Sequence, residues 1–171
     1  MEEYLFGPIP EDLSFSGKVL FYVIRLSEGI ILFGVTQPWY SSRAFGDFAT
    51  VDGLETDSGK LIVAVVLIGA VLPVLRPVNE PLSRYAWGLA FVGVVTLLLA
   101  YNEATGDPED AFALKYGIYI TMAGGALRAG LGVWLGMVLE RYEKRQALAA
   151  WQALIESTTS DADAPPREGQ V

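Results

Sequence analysis

Residues 116–139, YGIYITMAGGALRAGLGVWLGMVL, decide the fold class, because this long stretch contains a single charged side chain. An α-helix needs about 20 apolar residues to cross the ~30 Å hydrocarbon layer of a bilayer. The stretches 19–37 and 83–101 have a similar length. A fourth stretch, 59–75, is short enough for a buried helix, but beside three longer neighbours we interpret it as a short span. The sequence therefore predicts four membrane-spanning helices.

The loops between these helices predict their arrangement. The second and third loops are short, and short connections make consecutive helices antiparallel neighbours, as in an up-down bundle. The longer first loop, 39–60, carries alternating apolar residues and the turn signals Gly46-Asp47 and Asp52-Gly53, a pattern typical of a β-hairpin. We expect an all-α membrane protein, a four-helix transmembrane up-down bundle with a small extracellular β-hairpin in its first loop.

The chain divides into four parts along its length. Residues 1–17 are predicted to form an N-terminal cytoplasmic or interfacial segment, and residues 18–139 the four-span domain. Residues 140–157 continue the last span as a cytoplasmic amphipathic helix. The tail, 158–171, is rich in Ser, Thr, Asp, Pro and Gly, a composition typical of disorder. The acidic N-terminus lacks the positive segment of a cleavable signal peptide, so we expect the first span to direct its own insertion.

The basic residues predict the orientation of the spans, since cytoplasmic loops carry an excess of Lys and Arg. Six of them flank one side and three flank the other. The larger group is Lys18, Arg76, Arg84, Arg141, Lys144 and Arg145, and the smaller group is Arg43, Lys60 and Lys115. We therefore expect a multi-pass protein of the cell (plasma) membrane with both termini in the cytoplasm.

The composition excludes several classes of function. The 171 residues include 20 acidic and 12 basic side chains, for a net charge of −8. Nucleic-acid binding is disfavoured, because neutralising phosphates needs clustered Lys and Arg. An acidic chain with few lysines is typical of halophiles. The sequence contains neither Cys nor His, so it offers no thiolate metal site and no imidazole general base.

Motifs for catalysis or cofactor binding are missing as well. The segment before Gly59 and Lys60 lacks the earlier glycine of a phosphate-binding loop. We interpret the acidic third loop as a solvated loop, with weak binding of a hard cation as the alternative. Its acidic residues are Glu103, Asp107, Glu109 and Asp110. We expect a protein that is not an enzyme and that has no cofactor and no metal.

Charged residues inside the predicted spans form the candidate functional site. Arg25 and Glu28 lie in the first span and Arg128 lies in the fourth, where ionisable residues usually face the bundle interior or a wet cavity. Arg25 and Glu28 are one helical turn apart and share a face. At 1.5 Å per residue, Glu28 lies ~15 Å from Lys18 and Arg128 ~20 Å from Lys115, which places both near the midplane. The three residues predict one cluster, which either serves an anion, a proton or a ligand carboxylate, or fixes helix register.

Small residues of the fourth span predict close helix contacts. Gly125 and Ala129 are four residues apart, as are Gly132 and Gly136. Such pairs let two helix backbones approach closely. The partner is either a neighbouring helix of the same bundle or a helix of a second subunit.

Three aromatic residues mark candidate interaction surfaces. Trp39 and Tyr40 follow the first span and fit the aromatic belt at a membrane interface. Trp151 shares an apolar face of the helix at 140–157 with Leu148 and Leu154. This face predicts docking on the membrane surface or on a partner helix.

The first loop also carries a pattern known from other four-span proteins. Trp39 follows the first span, and Gly53-Leu54 comes late in the long loop. This layout resembles the small four-span membrane proteins of prokaryotes, haloarchaea included, and distantly the claudin-type tetraspan bundle. The claudin pattern continues with a second Trp and two Cys, whereas here Glu55 replaces that Trp and Cys is absent. Over residues 18–140 the resemblance implies a four-span bundle with a barrier or adhesion role.

The sequence leaves two functions in view. The first is a non-enzymatic scaffold or accessory subunit that acts through helix–helix and outer-loop contacts. The alternative is a small transporter or channel that uses the Arg and Glu residues at the midplane. The expected partners are the lipid bilayer and either another membrane protein or further copies of the chain.

Overall fold

The computed structural model describes residues 15–44, 47–71, 81–105 and 111–162. This part of the chain contains four helices and three short strands. The helices are α1 (Phe15–Val35), α2 (Asp57–Val71), α3 (Leu82–Thr105) and α4 (Tyr116–Ala162). The strands are β1 (Pro38–Ala44), β2 (Asp47–Asp52) and β3 (Ala111–Leu114), and a 3-10 turn (Gly53–Glu55) joins β2 to α2. The prediction of a mainly helical fold is confirmed.

The helices form a ring in the order α1, α4, α3, α2. The most extensive contacts join α4 to α3 and to α1, whereas α2 packs mainly on α3 and more lightly on α1. The first and last helices are therefore neighbours. This is the geometric condition on which the predicted charge cluster depends.

The strands form a single antiparallel sheet with β1 at its centre. β2 pairs with one edge of β1 and β3 with the other, so that Tyr40 lies opposite Val51 on one side and Leu114 on the other. The pairing of β1 with β2 agrees with the predicted hairpin. The third strand was not predicted, because its four residues, AFAL, are too few to show a period. It ties the loop before α4 to the loop after α1.

The start of α2 shows why Gly59 is a glycine. The Thr56 hydroxyl accepts a hydrogen bond from the Gly59 amide at 2.9 Å, which caps one of the free amides of the first helical turn. The helix therefore begins at Asp57, two residues before the predicted start. A Cβ on Gly59 would collide with the Gly53 carbonyl. The predicted end of this helix, at residue 75, lies outside the described residues.

Within the described residues, length and composition identify two helices that can cross a membrane, rather than the four predicted. These are α3 and the part of α4 from Tyr116 to Thr158. Helix α1 carries three charged residues, Lys18, Arg25 and Glu28, within its 21 residues. Helix α2 has 15 residues, or ~22 Å at 1.5 Å per residue, which is shorter than the ~30 Å hydrocarbon layer.

Helix α4 extends further than the sequence predicted. It ends at Ala162, five residues beyond the predicted end at 157. The hydroxyls of Ser157 and Thr158 donate to the Leu154 carbonyl at 2.8 and 2.7 Å, so these polar side chains are satisfied within the helix. The predicted tail therefore begins as helix, and its remainder, 163–171, lies outside the described residues. So do residues 1–14 of the predicted N-terminal segment.

The apolar core is divided into two layers along the bundle axis. Ile24, Leu89 and Leu135 belong to one layer, whereas Ile31 and Val92 belong to the other. The stretch of α1 between Ile24 and Ile31 contains buried Ser27, whose hydroxyl donates to the Ile24 carbonyl at 2.5 Å. A polar layer thus separates the two apolar layers.

Candidate functional site: the charge cluster

Arg25, Glu28 and Arg128, which we call the charge cluster, meet in this polar layer. The guanidinium of Arg25 donates from Nη1 to both Glu28 carboxylate oxygens, at 2.9 and 3.0 Å. One helical turn separates the two residues, so α1 alone brings them together. Their side chains are 17% and 12% exposed. The outer surface of α1 is therefore left almost free of these charges.

Arg128 completes the cluster from α4. Its side chain is fully buried, and its Nη1 lies 2.8 Å from Glu28 Oε1. This contact is an ion pair, because among the described residues none of Nε, Nη1 and Nη2 of Arg128 has a hydrogen-bond partner of suitable geometry, and Nε and Nη2 have no ion-pair partner either. Two arginines and one glutamate give the cluster one net positive charge. Its ion pairs can therefore hold α1 and α4 together. The cluster also has more hydrogen-bond donors than acceptors, and water or an anion is a suitable acceptor for the remaining donors.

Helix α2 contributes two residues that the sequence did not single out. The Ala70 carbonyl accepts from both Nη atoms of Arg25 at 3.5 Å. A Cβ on Gly69 would lie 2.8 Å from Arg128 Nη2, so the absence of a side chain there makes room for the guanidinium. For Gly69 a signal was present in the sequence, because this glycine ends a run of larger apolar residues, LIVAVVLI.

Two buried hydroxyls on α3 lie without a hydrogen-bond partner among the described residues. They belong to Tyr85 and Thr96. Tyr85 is close enough to interact electrostatically with all three members of the charge cluster. Buried polar atoms are normally satisfied by protein or by ordered water. Tyr85 thus adds a donor from α3 to the arginines that α1 and α4 contribute to the polar layer, whereas Thr96 lies eleven residues further along α3, against Gly125.

The predicted helix-packing residues face α3 of the same chain. A Cβ on Gly132 would lie 2.6 Å from the Ala90 amide nitrogen, and one on Gly136 would lie 3.1 Å from the Trp87 ring. A Cβ on Gly93 of α3 would collide with the Ala129 amide nitrogen. Gly125 lies against Leu97, with 3.0 Å between its added Cβ and the Leu97 amide nitrogen. These four α4 residues, Gly125, Ala129, Gly132 and Gly136, therefore form an internal seam.

Trp39 lies in the core rather than at the surface that the sequence predicted. It is fully buried, and its indole Nε1 donates to the Gly34 carbonyl at 3.1 Å. Gly53 fits against the ring, because a Cβ there would lie 2.5 Å from the indole. The reason is the tight connection between α1 and β1, which turns the side chain back onto the end of its own helix. Trp39 and Gly53, two of the residues that carry the claudin-type resemblance, are thus in contact.

The other two aromatic residues differ in exposure. Tyr40 is half-buried on β1, and burial raises the pKa of its phenol, with smaller contributions from the charges of Glu103 and Glu55. Trp151 is 66% exposed on the far part of α4. Of the three predicted interaction residues, Trp151 is the one whose side chain is largely open.

The acidic third loop is described only in part. Glu103 accepts a hydrogen bond from the Ser58 hydroxyl at 2.6 Å, which links the end of α3 to the start of α2. Asp107, Glu109 and Asp110 lie outside the described residues. Within the described part of the chain, no group of three potential metal ligands comes together.

Comparison with protein-family models, with curated proteins and with solved structures found no match.

Proposed function

We propose that this chain is a four-span membrane scaffold or accessory subunit that acts through contacts and is not an enzyme. The observation that carries the proposal is the pairing of Glu28 with two arginines inside the charge cluster. Glu28 contacts both arginines, and Arg128 is fully buried. Charges that pair inside a bundle contribute to helix register, as polar residues at core positions of coiled coils do.

The outer faces of α1 and α2 support the four-span part of the proposal. On α1, Leu26 is 64% exposed and Phe33 57%, and on α2, Leu67 is 52% exposed and Ile68 60%. Apolar side chains that are this exposed and this close together on one surface need lipid or another protein around them. Arg25 and Glu28 are turned inward, so along the middle of α1 the apolar face is what a bilayer would meet. A short α2 is accommodated by local thinning of the bilayer.

In the proposed orientation both termini of a multi-pass protein lie in the cytoplasm, and the excess of basic residues on that side supports it. In this orientation the three-stranded sheet lies outside the cell and the far part of α4 lies inside. The sheet joins two loops into one surface, which suits an outer contact with a partner. The contact between Trp39 and Gly53 supports the claudin-like architecture. The barrier or adhesion role that this resemblance implies would be one form of the proposed outer contact with a partner.

A combined measurement of stability and flux tests the proposal. The chain and its Glu28→Gln variant are purified and reconstituted into proteoliposomes, and proton and chloride flux are recorded beside thermal unfolding. A scaffold shows no flux above that of empty liposomes, and Glu28→Gln lowers its unfolding temperature because two arginines lose their counter-charge. The proposal is wrong if the parent chain carries flux and a variant that remains folded loses it.

The accessory role has its own test, since it requires a stable foreign partner. Native mass spectrometry on gently extracted membranes should find another membrane protein in fixed stoichiometry with this chain. A chain recovered without any foreign subunit, in detergent and in nanodiscs alike, would contradict the accessory role.

A small transporter or channel for anions is the second candidate, and one observation favours it. Arg128 Nε and Nη2 lack acceptors among the described residues, and the charge cluster keeps one net positive charge. An anion or a chain of waters would satisfy these donors. Under this function, chloride flux of the parent chain falls in Arg128→Met, whereas substitution of the exposed Arg84 by Met leaves the flux unchanged.

A further inference from the structure

The hydrogen-bond acceptors that α1 and α2 bring to the polar layer are engaged by Arg25 and by α1 itself. The Glu28 carboxylate accepts from Arg25 Nη1 at 2.9 and 3.0 Å. The Ala70 carbonyl accepts from both Nη atoms of Arg25 at 3.5 Å. The Ser27 hydroxyl is directed at the carbonyl of Ile24. The arginine on α1 is therefore satisfied within the described part of the chain.

Arg128, the arginine on α4, is not satisfied in the same way. Its side chain is fully buried, and beside its ion pair with Glu28 its Nε and Nη2 have no partner among the described residues. Together these two nitrogens carry three N–H groups. Buried polar groups are almost always satisfied by protein, by water or by a ligand. These N–H groups therefore need an acceptor that the described residues do not supply.

Tyr85 adds a further donor from α3. Its hydroxyl is buried and has no hydrogen-bond partner among the residues that the structure describes. The same side chain interacts electrostatically with Arg128, although no hydrogen bond joins the two. Donors from α3 and α4 thus lie near each other with no acceptor described between them.

The surroundings of the guanidinium limit the size of the missing acceptor. Gly69 of α2 has no side chain, and a Cβ there would lie 2.8 Å from Arg128 Nη2 and 3.2 Å from Val92 Cγ2 of α3. The Nη2 atom therefore lies where α2, α3 and α4 meet. Glycine is typical of positions where the backbone closely approaches another group. The acceptor must be small.

The charge of the cluster favours an anion over water as this acceptor. Two arginines and one glutamate leave one net positive charge, and this charge lies between two apolar layers. Removing a charge from water is costly unless the charge is paired. Water would satisfy the N–H groups and leave the charge, whereas one monovalent anion satisfies both requirements.

The depth of the cluster determines the source of the anion. Glu28 lies ~15 Å from Lys18 along α1, which is half of the ~30 Å hydrocarbon layer. A lipid phosphate stays at the level of the headgroups and does not reach this depth. The anion must therefore come from solution. A divalent anion would leave the layer with a net negative charge, so a monovalent anion fits best.

We infer that the charge cluster holds one small monovalent anion, bound by Nε and Nη2 of Arg128 and by the Tyr85 hydroxyl. The inference deepens the proposed function, because the anion neutralises the cluster that joins the helices. It rests on the proposed scaffold, in which a bilayer surrounds the bundle. It requires binding and does not require flux, which separates it from the transporter alternative.

Equilibrium binding of radioactive chloride to the purified full chain tests the inference. The chain is held in nanodiscs of phosphatidylcholine alone, so that no anionic lipid competes, and gluconate replaces chloride at constant ionic strength. We expect saturable binding of one chloride per chain, displaced by nitrate and not by sulfate. The unfolding temperature should rise by about 3–6 °C once chloride exceeds its dissociation constant tenfold.

Two deletions of a hydroxyl on α3 form a matched pair of variants. Tyr85→Phe and Thr96→Val each remove one buried hydroxyl that has no hydrogen-bond partner among the described residues. Tyr85→Phe should weaken chloride binding about 10–100-fold, because a hydrogen bond to a charged group is lost. Thr96→Val should leave the affinity within about twofold of the parent value. Arg128→Met should abolish saturable binding.

Three results would overturn the inference. A parent chain without saturable chloride binding would show that water satisfies Arg128. Equal affinities of the Tyr85→Phe and Thr96→Val variants would show that Tyr85 takes no part in the site. Full binding by Arg128→Met would identify an adventitious ion only, at another place on the chain.

A flux measurement on the same protein separates a failure of this site from a failure of the proposed function. Chloride binding without chloride flux in proteoliposomes would support both the anion site and the scaffold. Binding together with flux would contradict the scaffold and keep the site. A stable chain that neither binds nor conducts chloride would reject the site and keep the scaffold.

Discussion

The two faces of α4 contain similar residues and have opposite surroundings. The inward face carries Gly132 against Ala90 and Arg128 against Glu28. The outward face carries Gly130, around which a Cβ would meet nothing within 4 Å, and Trp151, which is largely exposed. Small or charged residues therefore do not by themselves identify an interface. The neighbouring helix decides what each residue does.

The largest expected effect comes from the inward charges. Glu28→Gln leaves Arg25 and Arg128 close together without a counter-charge, which should lower the free energy of unfolding by about 3–5 kcal/mol. Unfolding in detergent measures this change. Arg84→Gln, which removes one charge at an exposed position of α3, is the control and should stay within about 0.5 kcal/mol of the parent chain. Equal effects of the two substitutions would show that the charge cluster adds no stability.

Alanine substitutions at Gly132 and Gly130 are expected to have smaller effects on the free energy of unfolding. The two effects should have opposite signs, because Gly132 faces α3 and Gly130 faces outward. Gly132→Ala should destabilise the bundle by about 1–3 kcal/mol, because its Cβ forces α3 and α4 apart. Gly130→Ala should stabilise the chain by about 0.5–1 kcal/mol, since alanine is the better helix former and space is available. Reversible unfolding of both variants in one detergent gives the comparison. If both substitutions changed the free energy of unfolding in the same direction, the two faces of α4 would not differ in the space around these glycines.

The smallest effect on stability is expected at the far end of the outward face. Trp151→Gln removes an exposed ring that has no part in the bundle core, so the free energy of unfolding should change by less than about 0.5 kcal/mol. A loss of stability in monomeric protein would show instead that Trp151 packs on its own chain.

The sequence predicted the parts of this fold that depend on composition and period. Long apolar stretches identified α3 and α4, and the alternation in the first loop agreed with the pairing of β1 and β2. The spacing of Arg25 and Glu28, and their depth relative to Arg128, predicted a cluster that the structure brings together. Each of these inferences uses residues on one helix or at equal depth.

What the sequence did not predict depends on contacts between distant parts of the chain. Gly69 and Ala70 of α2 meet the charge cluster through tertiary packing, and β3 exists because β1 offers it a free edge. Trp39 was predicted at an interface from its position after the first helix. It is buried because the chain turns there onto Val35 and Gly53. The sequence left open whether the small residues of α4 pack on a neighbouring helix or on a second subunit. The order of the helices in the ring decides this, and the sequence does not give that order.

Gly69 has a consequence for how this chain can change during evolution. It sits inside a helix, where glycine is unfavourable relative to alanine by about 1 kcal/mol, and the reason for it lies on another helix, in the guanidinium of Arg128. The side chain allowed at position 69 thus depends on the side chain at position 128, on the opposite side of the bundle. A lineage that keeps the arginine must keep the glycine, and one that shortens residue 128 releases position 69 to larger side chains. The two positions should therefore covary among descendants of this chain, although 59 residues separate them in sequence.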